Sequence, residues 1–396
     1  MSNTNYRKKS LVAVQGTAQF IAAYISLLWF ERSVSKRELN PVLLVYDTSI
    51  PEENESLISD TITRLSSLRE WADVLFIGQK EMREISLNRK DVSKRKLISK
   101  LQDHEFENIF IARGFGSFGT QLVLDTYKNA VRIEYGDSFG FVGNENALKV
   151  TFYDFVKSPK NIAKLTLKKI LYGHFFPRFS FDFSILTLPL DWSGDYLNDK
   201  NLVVPPKEFA VELLIGLSKQ LPDLESYCNQ LISGIAGECN LYMLSNFSNS
   251  RLSSQENEIE LYEKIIRETA KIGTTIILKN HPRGSDSTLV RLKERLIETF
   301  EIRVIDRKEF ILYPIELWVP LINKARVFPI FSSSIISLKY FFSKNVILSL
   351  DAEKIQTYIQ RNKVQQITGG EIMYREAAIN LDHWDGNSPL WKRNKL

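Results

Sequence analysis

Short apolar runs alternate with longer amphipathic stretches along most of the chain. In the first half, Leu11–Gln15, Val42–Tyr46, Val74–Ile77, Asn108–Ala112 and Val131–Tyr135 are rich in β-branched or aromatic residues and bounded by turn residues, which predicts strands. Between them, Glu55–Trp71 and Ser93–Asp103 carry helical spacing. The second half repeats the alternation. Strands are expected at Asn240–Leu244, Thr274–Lys279, Ile302–Ile305, Arg326–Ile330 and Val346–Leu350, and helices at Glu256–Lys271, Thr288–Phe300 and Ile335–Phe342. Gly273 falls where a helix should stop. This alternation implies parallel sheets with helices on both faces, an α/β fold.

The 396 residues exceed what one core serves, so two domains of roughly 200 residues are expected. Phe176–Pro206 is dense in proline, aromatic and turn residues and reads as the linker, with the boundary near Val203. That gives a first domain over 1–203, a second over 204–378, and a tail over 379–396 without clear periodicity.

Composition narrows the class without naming it. A chain 44% hydrophobic and 25% charged is ordinary for a soluble globular protein. Cys228 and Cys239 form neither a metal spacing nor a disulfide framework, and the four histidines (His104, His174, His281, His383) argue against a metal centre. A net charge of +5 is too mild to argue for nucleic acid, so no such partner is expected. It does suit a polyanionic acceptor or an anionic membrane surface. Leu11–Phe30 is interrupted by Gln15, Gly16, Thr17 and Gln19, which reads as a strand entering a helix through a glycine turn rather than a membrane span. No small-residue cleavage site follows the basic start, so a cytoplasmic location is expected, with peripheral contact at the inner face of the membrane as its extension.

Four segments carry candidate chemistry, three of them at the carboxyl ends of predicted strands, where open α/β sheets bind ligands. In Lys279-Asn280-His281-Pro282-Arg283-Gly284, Pro282 turns the chain at the sheet edge and sets His281 beside two cations. Such a histidine, neutral or charged, can donate to a phosphate oxygen, although an ordinary loop histidine is the plainer alternative. Ser332, Ser333 and Ser334 precede a predicted helix. Capping explains one serine, whereas three in a row favour an anion cradle. Glu316, two residues after Pro314, can accept from both hydroxyls of a ribose or merely start a helix. In the first domain, the strand Val131–Tyr135 runs into Gly136-Asp137-Ser138-Phe139-Gly140, where Asp137 or Glu134 can take a proton from a hydroxyl.

An acidic glycine turn in the first half, followed by His281-Pro282, Pro314-Ile315-Glu316 and the serine run, resembles the bacterial sialyltransferases and polysialyltransferase-like proteins of capsule and lipooligosaccharide synthesis. The resemblance covers most of the chain through motifs of two to four residues each. It implies a GT-B architecture, two Rossmann-like domains facing across a cleft, whose C-terminal tail often returns to the first domain. It further implies inverting, metal-independent transfer of sialic acid or a related nonulosonic or ulosonic acid from a CMP-sugar to a glycan or glycolipid hydroxyl, with no cofactor. On that resemblance, His281 with Pro282 and Arg283 binds the CMP phosphate, Ser332, Ser333 and Ser334 hold it, and Glu316 binds the ribose. The family pattern has two adjacent acids before a glycine, which this chain lacks. Asp137 is favoured as base and Glu134 is second. Gly16, Gln19, Gly114 and Gly116 are then turns facing the acceptor.

A rival comes from Gly114-Phe115-Gly116-Ser117-Phe118-Gly119, a G-x-G-x-x-G run after a predicted strand, with Glu134 about 20 residues onward as in dinucleotide-binding proteins. A NAD-dependent oxidoreductase is therefore the runner-up, but three strands precede the one that the run follows, and His281, Glu316 and the serines are left without a role. A transferase using a CDP-alcohol would also employ histidine-proline and serine pairs. A sugar-binding or assembly protein on a decayed transferase fold is the remaining alternative.

Overall fold

The structure is a computed structural model. It describes residues 9–46, 55–112, 118–136, 181–188 and 202–383. The chain divides into two compact units, with the division falling between Pro205 and Pro206.

The first unit is built on a seven-stranded parallel sheet. Its strands are β1 (Lys9–Val14), β2 (Pro41–Tyr46), β3 (Asp73–Ile77), β4 (Phe106–Ala112), β5 (Val131–Tyr135), β6 (Phe183–Ile185) and β7 (Leu202–Val203), in the order β3-β2-β1-β4-β5-β6-β7. Leu11 to Val14 of β1 are fully buried, as a central strand covered on both faces requires. The helix Thr17–Phe30 covers one face. On the other, Leu11, Ala13, Ile109 and Ile111 pack with Met82, Ile85, Leu97 and Leu122 from helices Gln79–Ser86, Lys90–Lys100 and Phe118–Thr126.

The second unit has a four-stranded parallel sheet, β8 (Cys239–Met243), β9 (Ile276–Lys279), β10 (Ile302–Val304) and β11 (Ala325–Pro329), ordered β10-β9-β8-β11. The helix Gln255–Thr269 buries Ile259, Tyr262, Ile265 and Ile266 against β8 and β9. Ser254 caps its start by accepting from the N–H of Asn257 at 3.1 Å. In both sheets the chain first adds strands to one side and then crosses to the other. Each therefore has a point where successive connections diverge, between β1 and β4 and between β8 and β11, and such points open a crevice at the carboxyl edge.

Several expectations need correction. Val346–Leu350 is not a strand: a single bridge joins Val346 to Val327, because the short segment leaves the sheet after one pairing. The linker contains β6 and β7, since β5 would otherwise expose an edge and Phe183-Ser184-Ile185 supplies a strand to cover it. Residue 378 does not end an element. The helix Val364–Leu381 runs through it, burying Ile367, Met373, Ala377 and Ala378. Among the described residues, no helix is long and apolar enough to cross a membrane.

Candidate functional site

The second unit gathers three of the four candidate segments at one sheet edge. β9 ends at Lys279, and Asn280 begins the turn. The buried Asn280 side chain accepts from the N–H of His281 at 2.9 Å and donates to the carbonyl of Ser285 at 3.2 Å. Pro282 and Arg283 form the turn itself, closed by the N–H of Gly284 donating to the carbonyl of His281 at 2.7 Å. A Cβ on Gly284 would lie 2.2 Å from Asn280 Oδ1, so only glycine lets this side chain stitch the loop. Gly284→Ala is expected to cost about 1–3 kcal/mol of stability, the range for buried polar groups losing partners, measured by urea denaturation.

The half-buried His281 imidazole has a defined tautomer. The backbone N–H of Arg283 donates to its Nδ1 at 3.0 Å, which leaves the proton on Nε2. Burial, helped by the charges of Arg283 and Lys279, pushes its pKa down to about 3. The ring is therefore a neutral N–H donor at ordinary pH.

Lys279 is 5% exposed and donates to the carbonyl of Ile311 at 2.9 Å, with its ammonium 5.7 Å from the ring centroid of Trp318. Burial lowers its pKa to about 8, against an opposing attraction from Glu316. Glu316 sits in the 3-10 turn Ile315–Leu317 that follows Pro314. Its Oε1 accepts from the hydroxyl of Ser337, one turn into the helix Ser334–Phe342.

That helix begins with the serine run. The hydroxyls of Ser332 and Ser334 lie 2.8 Å apart, and Ser334 also reaches Met243 Sδ at 3.7 Å, across the divergence between β8 and β11. Ser333 occupies the cap position, yet its side chain makes no cap hydrogen bond. The chain reaches this start through Phe331 at φ 55°, a left-handed conformation costing a non-glycine residue about 1–2 kcal/mol. Phe331 is held there by Phe247 and Tyr374, with ring centroids at 5.9 and 5.4 Å, and by Gly370, where a Cβ would sit 2.8 Å from the ring. Contacts and charge thus link Arg283, His281, Lys279, Glu316, Ser337 and Ser334 along one edge.

Sequence reasoning missed Asn280, Ser337 and Glu258. Glu258 is buried and accepts from the N–H groups of Phe247 and Ser248, the hydroxyl of Ser248 and the phenol of Tyr262, which fixes the loop after β8. Asn249 of that loop donates to the carbonyl of Arg283 at 2.6 Å. Nothing in the one-dimensional pattern separates Ser337 or Glu258 from other helix residues. Asn280 was visible beside His281 but had no assigned role.

In the first unit, Glu134 is 3% exposed and its Oε2 accepts from Ser184 of β6 at 2.9 Å. Asp137, Gly114 and Gly116 lie outside the described residues. Gly16 precedes the helix Thr17–Phe30, and Gln19 closes that turn by accepting from the N–H of Gln15 at 2.8 Å. Gly119 is packed so tightly that a Cβ would lie 2.9 Å from Met82.

Two Rossmann-like units in one chain, each on a parallel sheet, place the protein in the class of α/β folds to which the GT-B glycosyltransferases belong. The alpha-2,8-polysialyltransferase family model matches residues 142–351, more than half of the chain. The chain belongs to this family and is a sialyltransferase-type glycosyltransferase. His281, Glu316 and Ser332–Ser334 fall within the matched residues, whereas Glu134 and Asp137 precede them. No curated protein matches the sequence. Similar solved structures include the UDP-GlcNAc 2-epimerase of Neisseria meningitidis bound to UDP-GlcNAc, at 10% identity and a TM-score of 0.49, covering 96% of this chain and 94% of that one. The UDP-GlcNAc 2-epimerase of Methanocaldococcus jannaschii follows at 12% and 0.45, covering 91% and 92%. The ADP-heptose lipopolysaccharide heptosyltransferase II of E. coli stands at 13% and 0.35, covering 85% and 83%.

Proposed function

We propose that the protein transfers sialic acid or a related nonulosonic or ulosonic acid from a CMP-sugar to a glycan hydroxyl with inversion, using neither metal nor cofactor. The observation that carries this reading is the His281 tautomer: Nδ1 is occupied by the Arg283 N–H, which frees a neutral Nε2–H donor at the edge that also carries the serine hydroxyls.

In the proposed reaction the acceptor oxygen bonds to the anomeric carbon as that carbon's bond to the CMP phosphate oxygen breaks. Asp137, or Glu134 in its place, takes the acceptor proton. The charge leaving with CMP is met by His281 Nε2–H, the hydroxyls of Ser332 to Ser334 and the start of the helix Ser334–Phe342. Glu316, steadied by Ser337, accepts from the ribose. A single displacement of this kind inverts the anomeric configuration.

The first test is ligand-induced stabilisation. CMP at about 100 times its Kd should add ~2.7 kcal/mol, raising the unfolding temperature by roughly 5–10 °C for a unit of this size. Stabilisation by NAD with no response to CMP would overturn the reading. NMR of the product from a CMP-sugar then reports inversion or retention.

A further inference from the structure

We propose that the outward face of helices Gln79–Ser86 and Lys90–Lys100 docks the protein on an anionic lipid surface. The two helices follow one another, pack together, and turn Met82, Ile85 and Leu97 into the same core cluster. Their opposite faces therefore lie on the same side of the first unit.

That side is basic and unneutralised. Lys80, Arg83, Arg89 and Arg95 are exposed and have no ion-pair partner among the described residues, and exposed Lys96 meets only the neutral side chain of Asn88, at 3.4 Å. The other cations of these helices are committed elsewhere: Lys90 and Lys94 both bind Asp125 at 2.9 Å, and Lys100 pairs with Glu81. The unpaired exposed acids here are Glu84 and Asp91, so positive charge remains in excess. Lys80, Arg83 and Leu87 recur at the three- and four-residue spacing of one helical face, and Leu87 is 36% exposed between the two helices.

The leucine decides between polyanions. A soluble acidic glycan would use the cations and leave Leu87 in water. A bilayer rewards both, because cations near an anionic surface gain attraction and an apolar side chain enters the boundary between headgroups and acyl chains. The inference is independent of the donor chemistry proposed above, since no residue of this face belongs to the second unit.

The test is co-sedimentation of the full chain with vesicles of phosphatidylcholine, with and without phosphatidylglycerol. Binding is expected with the anionic vesicles alone, with release at about 0.5 M salt, where screening is severe. Arg83→Glu/Arg89→Glu/Lys96→Glu should weaken partitioning at least about tenfold, as the loss of several near-surface cations implies. Transfer to a soluble acceptor and the circular dichroism spectrum should not change. Lys219→Glu/Lys271→Glu/Lys293→Glu, an equal charge change at exposed sites of the second unit, should retain binding. Leu87→Ser should weaken binding about threefold by removing the buried apolar group. Failure of the wild-type chain to bind, an equal loss in the second-unit variant, or indifference to Leu87→Ser combined with displacement by heparin would overturn the proposal. The last outcome would assign the face to a soluble polyanion.

Discussion

His281→Ala is expected to lower kcat by about 10²–10³-fold, the usual cost of removing one donor aimed at developing oxyanion charge. The fold should survive, because the substitution takes away one acceptor, Nδ1, from an exposed N–H at the turn, worth about 1 kcal/mol. Circular dichroism and urea denaturation check that half of the prediction, and steady-state transfer from a CMP-sugar checks the other. The pH profile adds a sharper criterion. With the imidazole pKa pushed to about 3 by burial and by Arg283 and Lys279, the ring is neutral throughout the working range. Wild-type turnover should therefore show no loss as pH rises through 6.5, the value at which an unperturbed histidine would surrender its second proton. A descending limb centred near 6.5 that disappears in His281→Ala would mean that imidazolium, not neutral imidazole, serves the departing phosphate. Near-normal turnover in the variant would remove His281 from the reaction.

The strands were legible because their signal is local. β2 and β5 are runs of β-branched and aromatic residues between turns, and the sequence marks them to within a residue. The carboxyl-edge positions of His281 and the serines follow from strand placement plus the rule that open sheets bind ligands at that edge, whereas Glu316 follows no strand and joins them through Ser337. What escaped depends on pairings that only folding creates. β6 is three residues long and exists because β5 needs a neighbour. The helices Lys207–Lys219 and Pro222–Ile232 follow directly after the proline-rich linker and were not predicted, although Ala210, Leu214 and Leu217 have helical spacing and Pro222 suits a helix start. Ser337 became a site residue through a contact with Glu316, 21 positions away in sequence. Phe331 gave no warning either, since a left-handed phenylalanine is tolerated here through three partners drawn from distant segments.

Lys279→Met should make the protein more stable and a poorer enzyme. The buried ammonium has a folded pKa near 8, against 10.5 when unperturbed, a difference worth about 3 kcal/mol at roughly 1.4 kcal/mol per unit. The sign follows from proton counting. Between pH 8 and 10.5 the unfolded chain binds more protons at this position than the native one, so the penalty is full below about pH 8 and disappears as pH rises to about 10.5. Methionine removes the buried charge while keeping most of the volume, at the cost of the hydrogen bond to Ile311 and the contact with Trp318, together about 1–2 kcal/mol. A net gain of roughly 1–2 kcal/mol is expected at pH 7, turning into a deficit near pH 10.5, where the wild-type lysine is no longer penalised. Urea denaturation of both proteins at the two pH values measures the crossover, and the comparison cancels every other titrating group. The natural retention of so costly a cation fits a site that must attract an anion beside Glu316. The variant should accordingly raise the KM for a CMP-sugar about tenfold, the effect of roughly 1.4 kcal/mol of lost attraction. A variant that is less stable at pH 7, with donor KM unchanged, would mean that Lys279 is a structural tie between β9 and the carbonyl of Ile311 and has no part in holding the donor.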